Sequence, residues 1–426
     1  MGCQVTETKM IILKNNLTKS LLFLLILFFS NSLFAFAQDN YDSIIVQTSE
    51  KLLKVRRQEL ILNREGIKHF NKVNNNTFVL PVEENKSIEE QINELKKNDL
   101  FSVIEPNYKL SIDKINSKGY SRVKKHTRNN IENNNDEKEL LPNDKDYNSQ
   151  YYLKEINAPK AWNITTGNSL LVAVLDTGVD SKHPDLVGKV TAGSGSEYAD
   201  LNDEISHGTG IAGIIAANTN NSEGIAGVAW NTKILSIKIT DEYGQSRVSD
   251  VIAALEEVYE SGAKIVQISL STNQYSEALK NAVEKAYERG ILIVSTAGNT
   301  GINEVRYPAG FSQVIGTGSV TKEREIEDYS TRGEHVSLVA PGTDIYTTSL
   351  NSDYENLSGT SFSAPQVAGA AALVWSINPN LTNEEVKNIL LSSADDLGDT
   401  GKDDKFGFGI LNTEKALELA KEKFAD

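Results

Sequence analysis

Apolar and polar positions follow three different rhythms along this chain. From Tyr151 onward, short runs of apolar and β-branched residues recur at 170–175, 234–239, 264–269 and 291–295, the pattern of strands buried on both faces. Segments with helical spacing separate them. Residues 249–260 stop at Gly262 and residues 276–289 stop at Gly290, where glycine supplies the left-handed residue that closes a helix. This alternation predicts an α/β fold, a parallel sheet flanked by helices, with any active site at the carboxyl ends of the strands. Residues 42–110 read differently. Segments 43–47, 77–82 and 101–104 are rich in strand formers, and the last halts at Glu105 and Pro106. Ser87 and Glu90 form a capping box ahead of Ile88, Ile92 and Leu95, so a small α+β unit is predicted. Residues 111–141 have no rhythm: Asn, Lys, Asp, Glu and Ser predominate, which predicts a solvated, cleavable linker.

A leader precedes all of this. Lys9, Lys14 and Lys19 come before the apolar run 21–29, and Ala35, Phe36 and Ala37 make a small-x-small cleavage site, so residues 1–37 read as a secretory signal peptide. The run is short of the roughly 20 residues that span a bilayer. No stable membrane association is expected once the leader is removed. The 426 residues are 39% hydrophobic and 24% charged, which excludes disorder of the whole chain. Net charge is -15, and an excess of that sign repels phosphate backbones, so nucleic acid is not an expected partner. The acidity is local: residues 142–426 hold 22 basic and 40 acidic side chains. Cysteine occurs only at Cys3 and methionine only at Met1 and Met10, which excludes disulfides and cysteine metal clusters.

Candidate chemistry sits at three strand or loop ends. Asp176 ends the apolar run Val172, Ala173, Val174, Leu175 and is followed by Thr177 and Gly178. His207 opens His207, Gly208, Thr209, Gly210, small residues that let a helix begin directly behind an imidazole. Ser361 lies in Gly359, Thr360, Ser361, Phe362, Ser363, Ala364, Pro365, ahead of the apolar helix predicted over 367–375. Taken singly, each is more simply a turn, a structural histidine or a helix cap. Together they supply a nucleophile, the base that takes its proton and the anion that fixes the base's tautomer. No His-Glu-x-x-His run is present, which disfavours metallopeptidase chemistry.

In this order and with these flanks the chain resembles the subtilisin-like serine peptidases, the subtilases, and their thermitase-like branch in particular. Asp176 to Gly178 with His183, Pro184, Asp185 and Leu186 forms one motif, and the runs at His207 and Ser361 form two more. Asn299, in Ala297, Gly298, Asn299, matches the family's oxyanion-hole asparagine. The resemblance covers about 142–420, and residues 42–110 resemble the family's inhibitory prodomain. It implies a signal peptide (1–37), a ferredoxin-like α+β prodomain acting as intramolecular inhibitor (38–110), a cleavable linker (111–141) and a catalytic domain (142–426). A secreted, extracellular, monomeric serine endopeptidase made as a self-processing zymogen is expected, with peptides or proteins as substrates.

The resemblance also implies binding residues. Ser269, Leu270 and Ser271 match the strand that pairs with substrate, and Ser271 stands where the family has glycine. Gly210 replaces a second histidine and Phe362 a methionine, neither of them a catalytic group. Aligned through Tyr307 and Pro308, Arg306 falls at the base of S1, the pocket for the residue whose carbonyl is attacked (P1), opposite Gly298. A guanidinium there implies a preference for Glu or Asp at P1, with surface exposure of Arg306 as the alternative. Glu132, Glu137 and Glu139 then become candidate self-cleavage sites, and Glu105 a poor one because Pro106 follows it. Finally, a structural Ca²⁺ site is implied: Asp144, Asp185 and Asn221 match side-chain ligands, and Asn218, Glu223 and Ile225 match main-chain carbonyl ligands, a hard-oxygen set. Two rival functions stay open, a processing peptidase dedicated to one partner such as a bacteriocin leader peptide, and a non-catalytic binding scaffold.

Overall fold

The computed structural model describes residues 41–425 except 54–57, 65, 98, 114–138 and 194–201. The expected signal peptide and most of the expected linker, Glu132 and Glu137 included, lie outside the described residues. Strands are numbered in chain order: β1 (Ser43–Thr48), β2 (Asn71–Lys72), β3 (Thr77–Pro81), β4 (Phe101–Pro106), β5 (Lys109–Ser111), β6 (Leu171–Asp176), β7 (Val190–Ala192), β8 (Lys233–Lys238), β9 (Gln245–Arg247), β10 (Ile265–Ile268), β11 (Leu292–Thr296), β12 (Val314–Val320), β13 (Leu338–Pro341), β14 (Ile345–Ser349) and β15 (Asp353–Leu357).

Seven strands form the large sheet in the order β13-β12-β11-β10-β6-β8-β7, and every pairing in it is parallel. Alternation along β6 shows why its apolar run is unbroken. Val172 and Val174 enter one core, and Ala173 and Leu175 enter the other. The first core packs against the helices His207–Ala216 and Thr360–Ile377, the second against Val248–Ser261 and Glu277–Glu288. Helix Thr360–Ile377 is buried from Thr360 to Trp375, and apart from Gln366 its side chains there are apolar or small. Gly262 and Gly290 close the predicted helices at φ 76° and 83°.

Residues 43–106 build a second, antiparallel sheet in the order β2-β3-β1-β4, with helices Gln58–Arg64 and Ile88–Leu95 in the two β-to-β crossings. The capping box predicted at Ser87 is present in both directions. Ile44 and Val46 turn toward this unit's own core with Leu62, Phe78 and Leu95. Ile45, one residue out of phase, joins the core of the large sheet. Polar contacts fix the same face: Glu105 accepts from Ser276 Oγ (2.5 Å), Glu277 N (3.1 Å) and Ala278 N (3.2 Å) at one helix start, and Asn107 Oδ1 accepts from Ser249 N (3.1 Å) at another. Ser43–Asp426 is one compact unit.

The boundary of the low-complexity segment falls later than composition suggests. Lys109–Ser111 is a strand paired antiparallel with β9, and Ile112 and Asp113 continue it. Composition could not separate them from the linker because their partners lie more than a hundred residues away.

Candidate active site

Sheet register brings the chemistry to one edge. Leu175, Ile268 and Ser295 lie level on β6, β10 and β11. The next residues in line are Asp176, Ser269 and Thr296. Asp176 is fully buried, and its Oδ1 accepts from Thr177 N (2.8 Å) and from His207 Nδ1 (2.7 Å). A carboxylate only accepts, so Nδ1 carries the proton and Nε2 is left as a base. Nε2 has no partner among the described residues. His207 is the first residue of its helix, and a Cβ on Gly208 would fall 2.1 Å from Gly178 O, so only glycine lets that helix begin so close behind Asp176. Burial of the imidazole opposes its charge, but the Asp176 carboxylate and its hydrogen bond outweigh burial and raise His207 above the ordinary imidazole value.

Ser361 sits in the first turn of the long buried helix. Its hydroxyl donates to Ser269 O (3.4 Å), not to His207. Pro365, four residues on, has no N–H to give to the Ser361 carbonyl, and that carbonyl accepts instead from Ser269 Oγ (3.1 Å). Two bonds between Ser269 and Ser361 thus tie the turn that carries Ser361 to the sheet edge. The Phe362 ring lies 5.2 Å from the His207 ring, covering it on one side. Gly210 is buried against Leu357 and Thr347, away from any catalytic role.

Asn299 is oriented by Thr360, whose N–H (2.9 Å) and hydroxyl (2.7 Å) both donate to Oδ1. That leaves its Nδ2–H₂ pointing at the cleft, where it donates to Asp113 O (2.8 Å). Gly298, at φ 101°, leaves room beside it: a Cβ there would meet Arg306 Cγ at 3.0 Å. Arg306 is 8% exposed, so it turns inward and does not reach the surface, with its Nη1 also near Glu304 Oε1 (3.5 Å). It donates from Nη2 to Asp113 Oδ1 (2.7 Å) and from Nε and Nη2 to Ser271 Oγ (3.0 and 2.9 Å), while Ser271 Oγ donates to Asp113 Oδ2. Burial pushes the Asp113 carboxyl up, and the guanidinium and the serine hydroxyl pull against that. Main-chain atoms of Ser271 pair with Ser111, while the Leu270 side chain is fully buried in the apolar cluster that also takes in Leu110.

Sequence reasoning missed Asp203. Its Oδ1 accepts from Thr177 Oγ1 (2.8 Å), its Oδ2 from Thr209 N (2.9 Å) and Oγ1 (2.7 Å), and Thr177 Oγ1 in turn accepts from Gly208 N (2.9 Å). This carboxylate locks the strand end that carries Asp176 to the helix that carries His207. One acid among many in its stretch gave no signal. His183 stays structural: Nδ1 accepts from Asp185 N (3.1 Å) and Nε2 donates to Asp353 O (3.0 Å). His335 does likewise, with Nε2 donating to Ala297 O (3.0 Å).

The residues matched to a calcium site converge in one loop cluster. Asp144 and Asp185 are buried, burial raises both carboxyls, and the charge of Asp185 raises Asp144 further. Among the described residues no lysine or arginine pairs with either. Asp144 accepts from Asn220 N (2.9 Å) and Asn221 N (3.3 Å), and Asp185 from Ile225 N (2.8 Å), Tyr354 Oη (3.0 Å) and Asn221 Nδ2 (2.7 Å). Asn218 donates its N–H to Asp185 O (2.7 Å), and Glu223 N donates to Asn221 Oδ1 (2.8 Å). No group of three His, Cys, Asp or Glu able to hold a metal occurs among the described residues, so amide and main-chain oxygens would have to complete a shell.

A family model for the subtilases matches residues 167–409. The chain is 40% identical over 283 residues to a thermophilic serine proteinase of Bacillus sp. (strain AK1), covering 65% of this chain and 69% of that protein. To thermitase of Thermoactinomyces vulgaris it is 38% identical over 283 residues, covering 65% of this chain and 99% of thermitase. Subtilisin DY of Bacillus licheniformis is 37% identical over 258 residues, 59% of this chain and 92% of its own length. A match spanning more than half of this chain and nearly all of thermitase means that the chain belongs to the subtilase family of serine endopeptidases, on its thermitase-like side.

Proposed function

We propose that this is a secreted serine endopeptidase, made as a zymogen that processes itself, which cuts after acidic side chains. Ser361 attacks the scissile carbonyl, His207 Nε2 takes its proton and later gives it to the leaving amine, and Asp176 holds the imidazolium. Asn299 Nδ2 with the Ser361 N–H stabilises the oxyanion. To begin, the Ser361 hydroxyl must leave Ser269 O for Nε2. The leader composition supports secretion, and the small antiparallel unit, capping two catalytic-domain helices through Glu105 and Asn107, supports an intramolecular inhibitor.

The observation that carries the specificity is the buried pair Arg306 and Ser271, which together meet a carboxylate with charge and hydroxyl. Charge-assisted bonds of this kind are worth roughly 1.5 to 3 kcal/mol, enough for about 10- to 100-fold discrimination. A peptide series differing only at P1 tests it. Asp or Glu should exceed Asn, Leu and Phe in kcat/KM; faster cleavage after Leu or Phe overturns the specificity. A second reading, a processing peptidase for one partner, is favoured by Ser271 narrowing the pocket where glycine is usual. Casein digestion beside peptide precursors separates the two.

Two uncompensated buried carboxylates with amide and main-chain oxygens fit Ca²⁺, a hard cation. Asp144, Asp185 and Asn221, with the carbonyls of Asn218, Glu223 and Ile225, would hold it, Asn221 turning its oxygen inward. When bound, the ion supplies charge neutralisation and cross-links the loop to the N-terminal stretch; it takes no part in the acyl transfer.

A further inference from the structure

Residues 109–113 lie extended in the cleft. On one side Leu110 stands opposite Ser246 in the β5–β9 pair, and Ile112 N donates to Gly244 O (3.1 Å). On the other, Ser111 exchanges both main-chain hydrogen bonds with Ser271, at 3.2 and 3.0 Å. A segment bonded along both edges has its backbone fixed, so the strand itself delivers the next residue to a set place. That residue is Asp113. Its carbonyl oxygen rests on Asn299 Nδ2, the donor aimed at a developing oxyanion, and its carboxylate fills the Arg306 and Ser271 seat. Both ends of one residue therefore meet the groups that a P1 residue must meet.

We infer that the bond on the carboxyl side of Asp113 is the chain's own maturation bond, and that Arg306 with Ser271 makes an acidic residue the condition for that cut. The inference rests on the acidic-P1 reading above and names its first substrate. In the step, Ser361 Oγ bonds to the Asp113 carbonyl carbon while its proton passes to His207 Nε2. The C–N bond to Lys114 breaks as that proton moves to the leaving amine, and water then hydrolyses the ester, leaving a carboxylate on Asp113 and a free hydroxyl on Ser361. The linker glutamates that an acidic preference alone would admit are displaced by this assignment. Glu139 is exposed. Because β5 stays paired after the cut, the released segment keeps the guanidinium that an acidic substrate needs. Maturation and inhibition thus share one seat.

Intact mass measurement of the first fragments released as the full chain refolds tests this directly. The shorter fragment should end at Asp113, and a first cut after Glu132, Glu137, Glu139 or any other residue overturns the assignment. Full-length S361A should stay whole alone and yield the same fragment when a trace of active enzyme is added, which controls for variants that fail to fold. D113L should slow the first cut roughly 10- to 100-fold, D113E should preserve it, and R306L should restore the D113L rate by pairing apolar with apolar. Unchanged processing of D113L also overturns the inference. The underlying reading is judged separately on P1 peptides: acidic preference with a fragment ending elsewhere rejects only the maturation bond, and a fragment ending at Asp113 without acidic preference rejects only the specificity.

Discussion

The two sheets solve the same burial problem in opposite ways. In the large parallel sheet both faces are covered by helices of the same domain, and its strands need no help to be dry. In the small antiparallel sheet β1 is buried at all six positions, yet only Ile44 and Val46 belong to the unit's own core; Ile45 is covered by the larger domain. A unit of this size has little apolar area to spare. The proposed chemistry follows the same division, since every group assigned to it stands on the large sheet's edge or its helices, while the small sheet contributes only caps and an apolar face. One sheet is self-sufficient and reactive, and the other is dependent and inert.

This difference can be broken by substitution, most strongly at the reactive edge. D176N should lower kcat about 10⁴-fold while the chain still folds, the size such an Asp-to-Asn change has in a serine peptidase triad. Loss of folding alongside activity would merge what the comparison separates. I45D would place a charge between the two sheets and should weaken inhibition of the mature enzyme by added 38–113 peptide by roughly 3 to 5 kcal/mol, read as an inhibition constant. Full inhibition by that variant would show that the small sheet does not depend on the large one. Calcium removal should act on the large unit alone: with the ion at about a hundred times its dissociation constant, chelation should cost about 2.7 kcal/mol, seen as a lower melting midpoint of the mature enzyme. An unchanged midpoint rejects the site. S87A should cost about 1 kcal/mol in the small unit and leave kcat untouched, since it removes only the cap of Ile88–Leu95.

The pH dependence of the reactive edge is also set by its geometry. His207 must be neutral to accept a proton, and its value is raised, so the acid limb of kcat/KM should lie above the ordinary imidazole value of 6.5. The linked stability has the opposite sign: the Asp176 to His207 attraction is fully present below the unfolded imidazole value and is lost as pH rises through the raised one. D176N should pull the limb down. A limb at or below 6.5 in the unsubstituted enzyme contradicts the assigned pairing.

Where apolar side chains dominate locally, the sequence was legible. The runs that became β6, β8, β10 and β11 matched to within a residue or so at each end, because burial on both faces leaves no alternation to confuse them. β12 escaped notice although it is wholly buried. Its Gly316 and Gly318 dilute the pattern, and a Cβ on Gly316 would fall 2.2 Å from His335 O, so the glycine is there for a close approach that only the fold reveals. The long helix was expected from Val367 and begins at Thr360, since its first turn is small and polar but buried by neighbours. The triad and Asn299 were legible through their motifs, and Arg306 through resemblance. Asp113 was not, because its place depends on Ser271, Asn299 and Arg306, all more than 150 positions away.

The clasp around residues 109–113 carries a consequence for what this peptidase can attack. One rim pairs over several successive positions and the other through Ser271, so the segment between them must offer free amide and carbonyl groups on both sides. A helix or an interior strand has already committed those groups and would have to melt locally before entering, at a cost set by its own stability. Susceptibility of a target is therefore governed first by how easily it frays. A peptide bond inside a firm domain is safe, and the same bond in a loose tether is not.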